Sequence, residues 1–347
     1  MMESLSIARK DISNLLHDAW IILPHEAQME TSTSLGNSPL KVSRLGLGAM
    51  TWGDPVGMAR WTPAQQSYGP SEGISEEERA LEVSLAAGIN LIDTAEMYSA
   101  GASERRVGEL IHDKDVLVAS KFPPSPFSSD RAFNQALEDS LKRLKRQSID
   151  LFQIHFPSRR LSIPRLMDLM ADAVEAGMIK AVGVSNYSEE QMRLAHAGLA
   201  RRGIPLASNQ VEYSLFHRRP EVDGVLAACQ ELGVTLIAYS PLAMGALTGK
   251  YSPTHRPGGL RRFTPLFRGK GLQAMQPVIK LLQEIGGRYS KSPAQVALRW
   301  LIEIGNVLPI PGAKNGLQAE ENAGALTFSL QPKEIEALDQ ATRPWRR

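Results

Sequence analysis

The chain has 347 residues, 43% of them hydrophobic, enough for a substantial core in one large domain or two ordinary ones. Its charge is nearly balanced at +2, which gives no electrostatic footing for nucleic acid or another polyanion. A single cysteine, Cys229, excludes an internal disulfide and a cysteine-based metal cluster, and no uninterrupted apolar run reaches the roughly 18 residues of a membrane span.

Residues 1–37 read as an N-terminal extension of uncertain structure. They hold a short apolar patch, AWIILP at 19–24, among Glu3, Asp11, Asp18 and Glu26. A signal peptide wants a longer apolar stretch and a transit peptide avoids acids, so the expected location is the cytoplasm. Met29 stands just before the recognisable pattern.

From about residue 40 short apolar runs alternate with amphipathic helical segments. The strands expected in chain order are SRLGLGAM (43–50), INLIDTA (89–95), VLVASKF (116–122), IDLFQIHF (149–156), IKAVGVSN (179–186), LASNQVEYS (206–214), VTLIAYS (234–240) and NVLPIPG (306–312). Between them lie SEEERALEVSLAAG, NQALEDSLKRLKRQS, PRLMDLMADAVEAG, EEQMRLAHAGLARR, EVDGVLAACQELG, PAQVALRWLIEIG and LQAEENAGAL. Most space their apolar residues at three and four, and several end in Gly, a helix stop. Cys229, in one of these segments, reads as a small buried hydrophobe. Nearly continuous runs of Val, Ile and Leu suit parallel strands covered on both faces. Eight of them alternating with helices point to α/β architecture and a closed (β/α)8 TIM barrel. An open doubly wound sheet is the rival, but no GxGxxG follows an early strand. One connection is too long for the pattern, PLAMGALTGKYSPTHRPGGLRRFTPLFRGKG at 241–271. Its Gly, Pro, Lys and Arg suit a flap over an anionic ligand, or simply an exposed basic loop.

Active sites of parallel barrels sit at the carboxyl ends of the strands. Those positions hold Asp93, Lys121, His155, Ser185 with Asn186, Gln210, and Tyr239 with Ser240. Asp93 and Lys121 can pair as ions, fixing an ammonium in place. Tyr98, five residues after Asp93, has an ordinary pKa of about 10, and a neighbouring ammonium is expected to lower it towards the useful range for a general acid. His155 can hydrogen-bond a carbonyl oxygen and polarise it. Acid, tuner, charge partner and orienter are what carbonyl reduction requires beside a hydride donor. No metal is needed: neither HExxH nor CxxC occurs, and His155 has no ligand-spaced histidine nearby.

GINLIDTAEMYSAGASERRVG (88–108) resembles the aldo-keto reductase signature, in which an Asp ends one strand and a Tyr lies five residues later. VLVASKF, LFQIHFP, AVGVSNYS, ASNQVEYS and IAYSPLAMGALTGKY fall in that family's order, and IPGAKNGLQAEEN (310–322) resembles its late cofactor-binding segment. The resemblance covers roughly residues 38–345 and is strongest to the branch of bacterial and plant oxidoreductases and potassium-channel β subunits. It implies one domain over 38–347 and a catalytic tetrad of Asp93, Tyr98, Lys121 and His155. It also implies NADPH/NADP+ as cofactor, with Ser185, Asn186 and Gln210 on the nicotinamide carboxamide and Tyr239 stacked on the ring. Ser240, Pro241, Leu242, Gly245 and Lys250 would follow the pyrophosphate, with Arg261 or Arg262 clasping it from the long loop. Gly312, Lys314, Gln318, Glu321 and Asn322 would hold the adenosine part, Lys314 on the 2′-phosphate.

Met50, Trp52, Trp61, Phe122 and Phe156 form the candidate substrate wall, which favours a bulky apolar or aromatic carbonyl. A slow nicotinamide-binding regulatory subunit is the competing function. A barrel isomerase or aldolase using Lys121 as a Schiff-base amine explains neither the strand-end amides nor the GAKN segment. The oligomeric state and the physiological carbonyl stay open.

Overall fold

The computed structural model describes residues 32–346 apart from 56 and 58–61. Trp61 and nearly all of the 1–37 extension therefore lie outside the described residues. A hairpin of β1 (Ser32–Ser34) and β2 (Lys41–Ser43) precedes an eight-stranded parallel sheet. The sheet comprises β3 (Leu47–Gly48), β4 (Leu91–Asp93), β5 (Leu117–Phe122), β6 (Ile149–Ile154), β7 (Ile179–Ser185), β8 (Leu206–Glu212), β9 (Thr235–Tyr239) and β10 (Val307–Pro309). Each strand pairs with the next in sequence. At the seam, Gly46 N–H donates to Pro309 O and Gly48 N–H to Pro311 O, both at 2.9 Å, which joins the two edges into a barrel.

Eleven α-helices accompany the strands among the described residues: α1 (Pro63–Tyr68), α2 (Ile74–Ala86), α3 (Ala102–Leu110), α4 (Asp130–Leu144), α5 (Ile163–Glu175), α6 (Glu189–Ala200), α7 (Val225–Leu232), α8 (Gly269–Tyr289), α9 (Pro293–Glu303), α10 (Gly316–Ala323) and α11 (Pro332–Thr342). Local chemistry sets their ends. Ser129, Ser162, Ser188 and Ser292 cap α4, α5, α6 and α9 by accepting from a backbone N–H of the first turn. The helix expected from residue 221 starts only at Val225, because Gly224 takes a left-handed φ of 83°. Helices α1, α3 and α11 and the hairpin lie outside the segments expected from the sequence. No helix among the described residues is long and apolar enough to cross a membrane.

Alternation along the strands sorts side chains into two layers. Leu91, Ala119, Leu151, Ala181, Ile237 and Leu308 point into the barrel, while Ile92, Val118, Phe152, Val182, Leu236 and Val307 face the helices. The hairpin closes the amino end of the barrel with Leu35, Leu40 and Val42. Leu35, fully buried there, shows that the folded unit starts before residue 38. In the outer layer Phe133 of α4 is fully buried between Phe122 and Phe152, with ring centroids 5.2 and 6.2 Å apart. Phe133→Ala is expected to lower stability by about 3–5 kcal/mol, read as a fall in the urea midpoint at unchanged slope.

Candidate active site

The inward layer that is apolar lower in the barrel turns polar at the carboxyl end. Asp93 on β4, Lys121 on β5, Gln153 on β6, Ser185 on β7 and Gln210 on β8 are all buried there. Lys121 Nζ donates to Asp93 Oδ1 at 2.6 Å, to Thr94 O at 2.9 Å and to the Tyr98 hydroxyl oxygen at 3.1 Å. The other carboxylate oxygen of Asp93 accepts from Gln210 Nε2 at 2.8 Å and from Gln153 Nε2 at 3.4 Å. Asp93 is thus the hub, and the structure brings Tyr98, Lys121 and Asp93 together as the sequence leads one to expect.

Gln153 is the member not anticipated. Its signal lies in the strand period: it stands two residues before His155, and in the sheet register opposite Lys121. Gly183 on the next strand makes room for it, since a Cβ there would lie 2.8 Å from Gln153 Cγ.

Tyr98, five residues beyond the end of β4, opens the turn Tyr98–Gly101, which is kinked at its centre. Ser99 and Ala100 have left-handed φ of 51° and 52°, a conformation that costs L residues roughly 1–2 kcal/mol each. The titration of Tyr98 corrects the expectation from the sequence. Burial raises its pKa above the ordinary tyrosine value; Lys121 opposes this and Asp93 reinforces it, so the net shift is upward. The ammonium fails to win because burial of the phenol outweighs it, and Asp93, 2.6 Å from the ammonium, offsets part of its field. For Lys121, burial alone would favour the neutral amine, but Asp93 and Tyr98 together hold its pKa above the usual value.

His155 follows β6, its ring edge-on to Tyr98 at 5.8 Å and stacked on Phe156 at 4.6 Å. Burial, helped by the Lys121 charge, lowers its pKa to about 3, so the imidazole is neutral near pH 7. Its Nδ1 is buried without a hydrogen-bond partner among the described residues.

Beside this group, the ends of β7, β8 and β9 carry a linked set of amides and hydroxyls. Ser185 Oγ donates to Gln210 O at 2.9 Å, and Asn186 Nδ2 donates to His155 O and to Ser185 Oγ, both at 3.1 Å. Tyr239 donates its hydroxyl proton to Asn186 Oδ1 at 3.1 Å, and burial pushes its own pKa up to about 12. Beyond β9 the chain turns through left-handed φ at Ser240, Ala243, Met244 and Gly245, with Pro241 buried and Leu242 half-buried. Arg261 Nη1 donates to Met244 O at 3.0 Å, and its guanidinium lies over the Tyr68 and Tyr251 rings at 5.3 and 5.8 Å. Arg262 instead lies over Phe263, and exposed Lys250 over Tyr251.

After β10, Gly312 is exposed, and Lys314 Nζ donates to the carbonyls of Tyr68, Gly69 and Pro70 at 2.6, 3.3 and 2.8 Å. Gln318 Oε1 accepts from Lys314 N at 3.0 Å, and Asn322 Nδ2 donates to Gly312 O at 3.2 Å. These two share the face of α10 turned to the 312–314 segment. Glu321, expected beside them on the adenosine part, turns away, its carboxylate accepting from Ser292 just before α9.

The substrate wall needs two corrections. Phe122 faces α4 and packs on Phe133, because its neighbour Lys121 takes the inward direction. Trp52 is fully enclosed, its indole N–H donating to Ala313 O at 2.7 Å. Met50 is half-buried and Phe156 is 41% exposed, so these two retain free surface. Cys229 is buried, its pKa raised to about 12 by burial, and is no nucleophile. No cluster of metal-ligating side chains occurs among the described residues.

The depressed pKa of His155 has a stability consequence of definite sign. Below about pH 6.5 the unfolded chain takes up a proton that the folded chain refuses until about pH 3, so this contribution is present above pH 6.5 and lost as pH falls. Comparing urea unfolding at about pH 7 and about pH 4, His155→Gln is expected to lose less stability than the wild type, by up to about 3 kcal/mol.

The family model for the Aldo/keto reductase family matches residues 44–343. An uncharacterised oxidoreductase of Mycobacterium tuberculosis is 40% identical over 309 residues, covering 88% of this chain and 91% of that protein. The chloroplastic pyridoxal reductase of Arabidopsis thaliana is 36% identical, with 88% and 84% covered. Among solved structures, the glycerol dehydrogenase of Gluconobacter oxydans superposes with a TM-score of 0.77 at 26% identity over 90% of this chain and 95% of that one. An aldo-keto reductase from Klebsiella pneumoniae in complex with NADPH superposes with a TM-score of 0.69 at 29% identity, again over 90% and 95%. The chain belongs to the aldo/keto reductase family.

Proposed function

We propose that this protein is an NADP-dependent oxidoreductase that reduces an aldehyde or ketone to the alcohol, with Tyr98 as the general acid. The observation that carries the proposal is the direction of one hydrogen bond. The Lys121 ammonium donates to the Tyr98 oxygen, which leaves the phenolic hydrogen free to point at a substrate. The raised pKa of Tyr98 suits an acid in reduction, since the proton is still present at neutral pH and its target, a developing alkoxide, is far more basic.

The residues present fit a nicotinamide dinucleotide. The donor and acceptor groups of Ser185, Asn186 and Gln210 meet the needs of a carboxamide, and the flat ring of Tyr239 beside Asn186 provides a stacking face. The left-handed turns at Ser240 and at Ala243, Met244 and Gly245 lie against the guanidinium of Arg261, a cation suited to a phosphate oxygen. Lys250, Gly312, Gln318 and Asn322 are the further candidates towards Lys314, whose ammonium donates to three backbone carbonyls. When bound, NADPH supplies the hydride.

The protein's own groups do the rest. Neutral His155 can direct a hydrogen-bond donor to the carbonyl oxygen region, and the Lys121 ammonium, bonded to the Tyr98 oxygen, stabilises the charge that develops there. Tyr98 passes its proton to that oxygen as the charge forms. Asp93 keeps the ammonium from wandering. The exposed face of Phe156, stacked on His155, and the half-buried Met50 favour a substrate with an apolar or aromatic body. The similar pyridoxal reductase and glycerol dehydrogenase are named for carbonyl–alcohol chemistry, which accords with this reading.

Two measurements test this. Tyr98→Phe, followed in a single turnover of NADPH with a reactive aromatic aldehyde, is expected to slow the chemical step by roughly 10²–10⁴-fold; equal rates would remove Tyr98 as the acid. Lys314→Met is expected to weaken NADPH binding about ten-fold and leave NADH within about two-fold, read by fluorescence titration.

A further inference from the structure

A left-handed turn of two non-glycine residues does not hold itself, and Tyr98 stands immediately before one. What lies against that turn is a buried ion pair that takes no part in the chemistry proposed above. Glu104, in the first turn of α3, is fully buried. Its Oε1 accepts from Ser120 Oγ at 2.5 Å and its Oε2 from Arg143 Nε at 2.6 Å. Ser120 precedes Lys121 on β5 and points to the helix side of the sheet, so Glu104 ties α3 to the strand that carries the ammonium.

Arg143, near the end of α4, reaches under the turn itself. A Cβ on Gly101 would lie 2.7 Å from Arg143 Cδ and 3.0 Å from its Nε, so only glycine lets the guanidinium stem pass there. Arg143 Nη2 is held in turn by Ser140 Oγ at 3.1 Å. Three elements therefore meet beneath residues 99–101: the helix that follows the turn, the strand behind Tyr98, and a helix two elements on. The carboxylate lies on the opposite side of β5 from Lys121, so it can act on the phenol only through the backbone.

We propose that the Glu104–Arg143 ion pair is the positioning device for Tyr98, holding the left-handed turn at 99–101 so that the phenol stays on the Lys121 ammonium. The proposal rests on the reading of Tyr98 as the acid. A pair that merely filled the core would, when weakened, lower stability without changing the chemical step.

The experiment uses the full chain with Glu104→Gln, which keeps volume and an acceptor for Ser120 but loses the charge that holds Arg143. In single turnovers with NADPH and an aromatic aldehyde, hydride transfer is expected to slow roughly ten- to a hundred-fold, while the Kd of NADPH stays within about two-fold. Hydrogen exchange in the peptide spanning 95–104 is expected to accelerate. Ala100 is exposed, and asparagine accepts left-handed backbone more readily than alanine, so Ala100→Asn is expected to recover part of both losses in the Glu104→Gln background. Wild-type hydride transfer in Glu104→Gln overturns the proposal, as does a loss matched by an equal loss of NADPH affinity. Should Glu104→Gln not fold, Arg143→Met breaks the pair from its less buried side with the same readouts. If Tyr98→Phe matches the wild type, the assignment of the acid falls instead, and exchange at 95–104 still decides whether the pair holds the turn.

Discussion

The site is organised around one ion pair inside the barrel, Asp93 with Lys121. Enclosing two opposite charges is costly, and the attraction repays it only when the remaining donors and acceptors are satisfied. Here they are: Thr94 O and the Tyr98 oxygen take the other ammonium protons, and the amides of Gln210 and Gln153 occupy the second carboxylate oxygen. The value of such a pair is geometric more than energetic. It fixes a positive charge to within a hydrogen-bond length at the mouth of an otherwise apolar interior, and Thr94 O and the Tyr98 oxygen are oriented on that charge.

Burial around the pair explains why two of the titrating groups differ in direction. Tyr98 and His155 both sit in surroundings that disfavour charge, so one holds its proton and the other declines one. Neither is tuned towards neutrality. A protonated phenol and an uncharged imidazole are a donor set for an oxygen that becomes negative, and both persist over the ordinary pH range without a balance between forms.

Much of this was legible in the sequence because the barrel puts its chemistry at predictable places. Asp93, Lys121, His155, Ser185 and Gln210 interrupt apolar runs where strands end, and the structure finds them at one rim. What the strands hid was side. Phe122 looks like a pocket aromatic by its position next to Lys121, yet adjacency along a strand is what sends it to the opposite face. Gln153 shares the face of Lys121, but a glutamine inside DLFQIHF looks in the sequence like a flaw in a strand. Titration was illegible for another reason: the sequence supplies the ammonium beside Tyr98 but not the burial that outweighs it. Glu321 likewise shows that helical spacing fixes a face only to within the reach of a competing hydroxyl, here that of Ser292.

The seam of the barrel has a temporal consequence. Gly46 and Gly48 lie near the start of the folded unit, and Pro309 and Pro311 near its end, so the last pair of edges can meet only after almost the entire chain has left the ribosome. Closing a contact of such sequence separation late makes folding slow and leaves an open sheet edge in the interim. Lys314 and α10 follow the seam directly, so the segment read as the adenosine end of the cofactor site is among the last to arrive. A nucleotide gripping both sides of that seam would favour the closed form by mass action. In a cell, cofactor supply would then bear on how much of the newly made protein reaches its finished state, as well as on how fast that protein turns over.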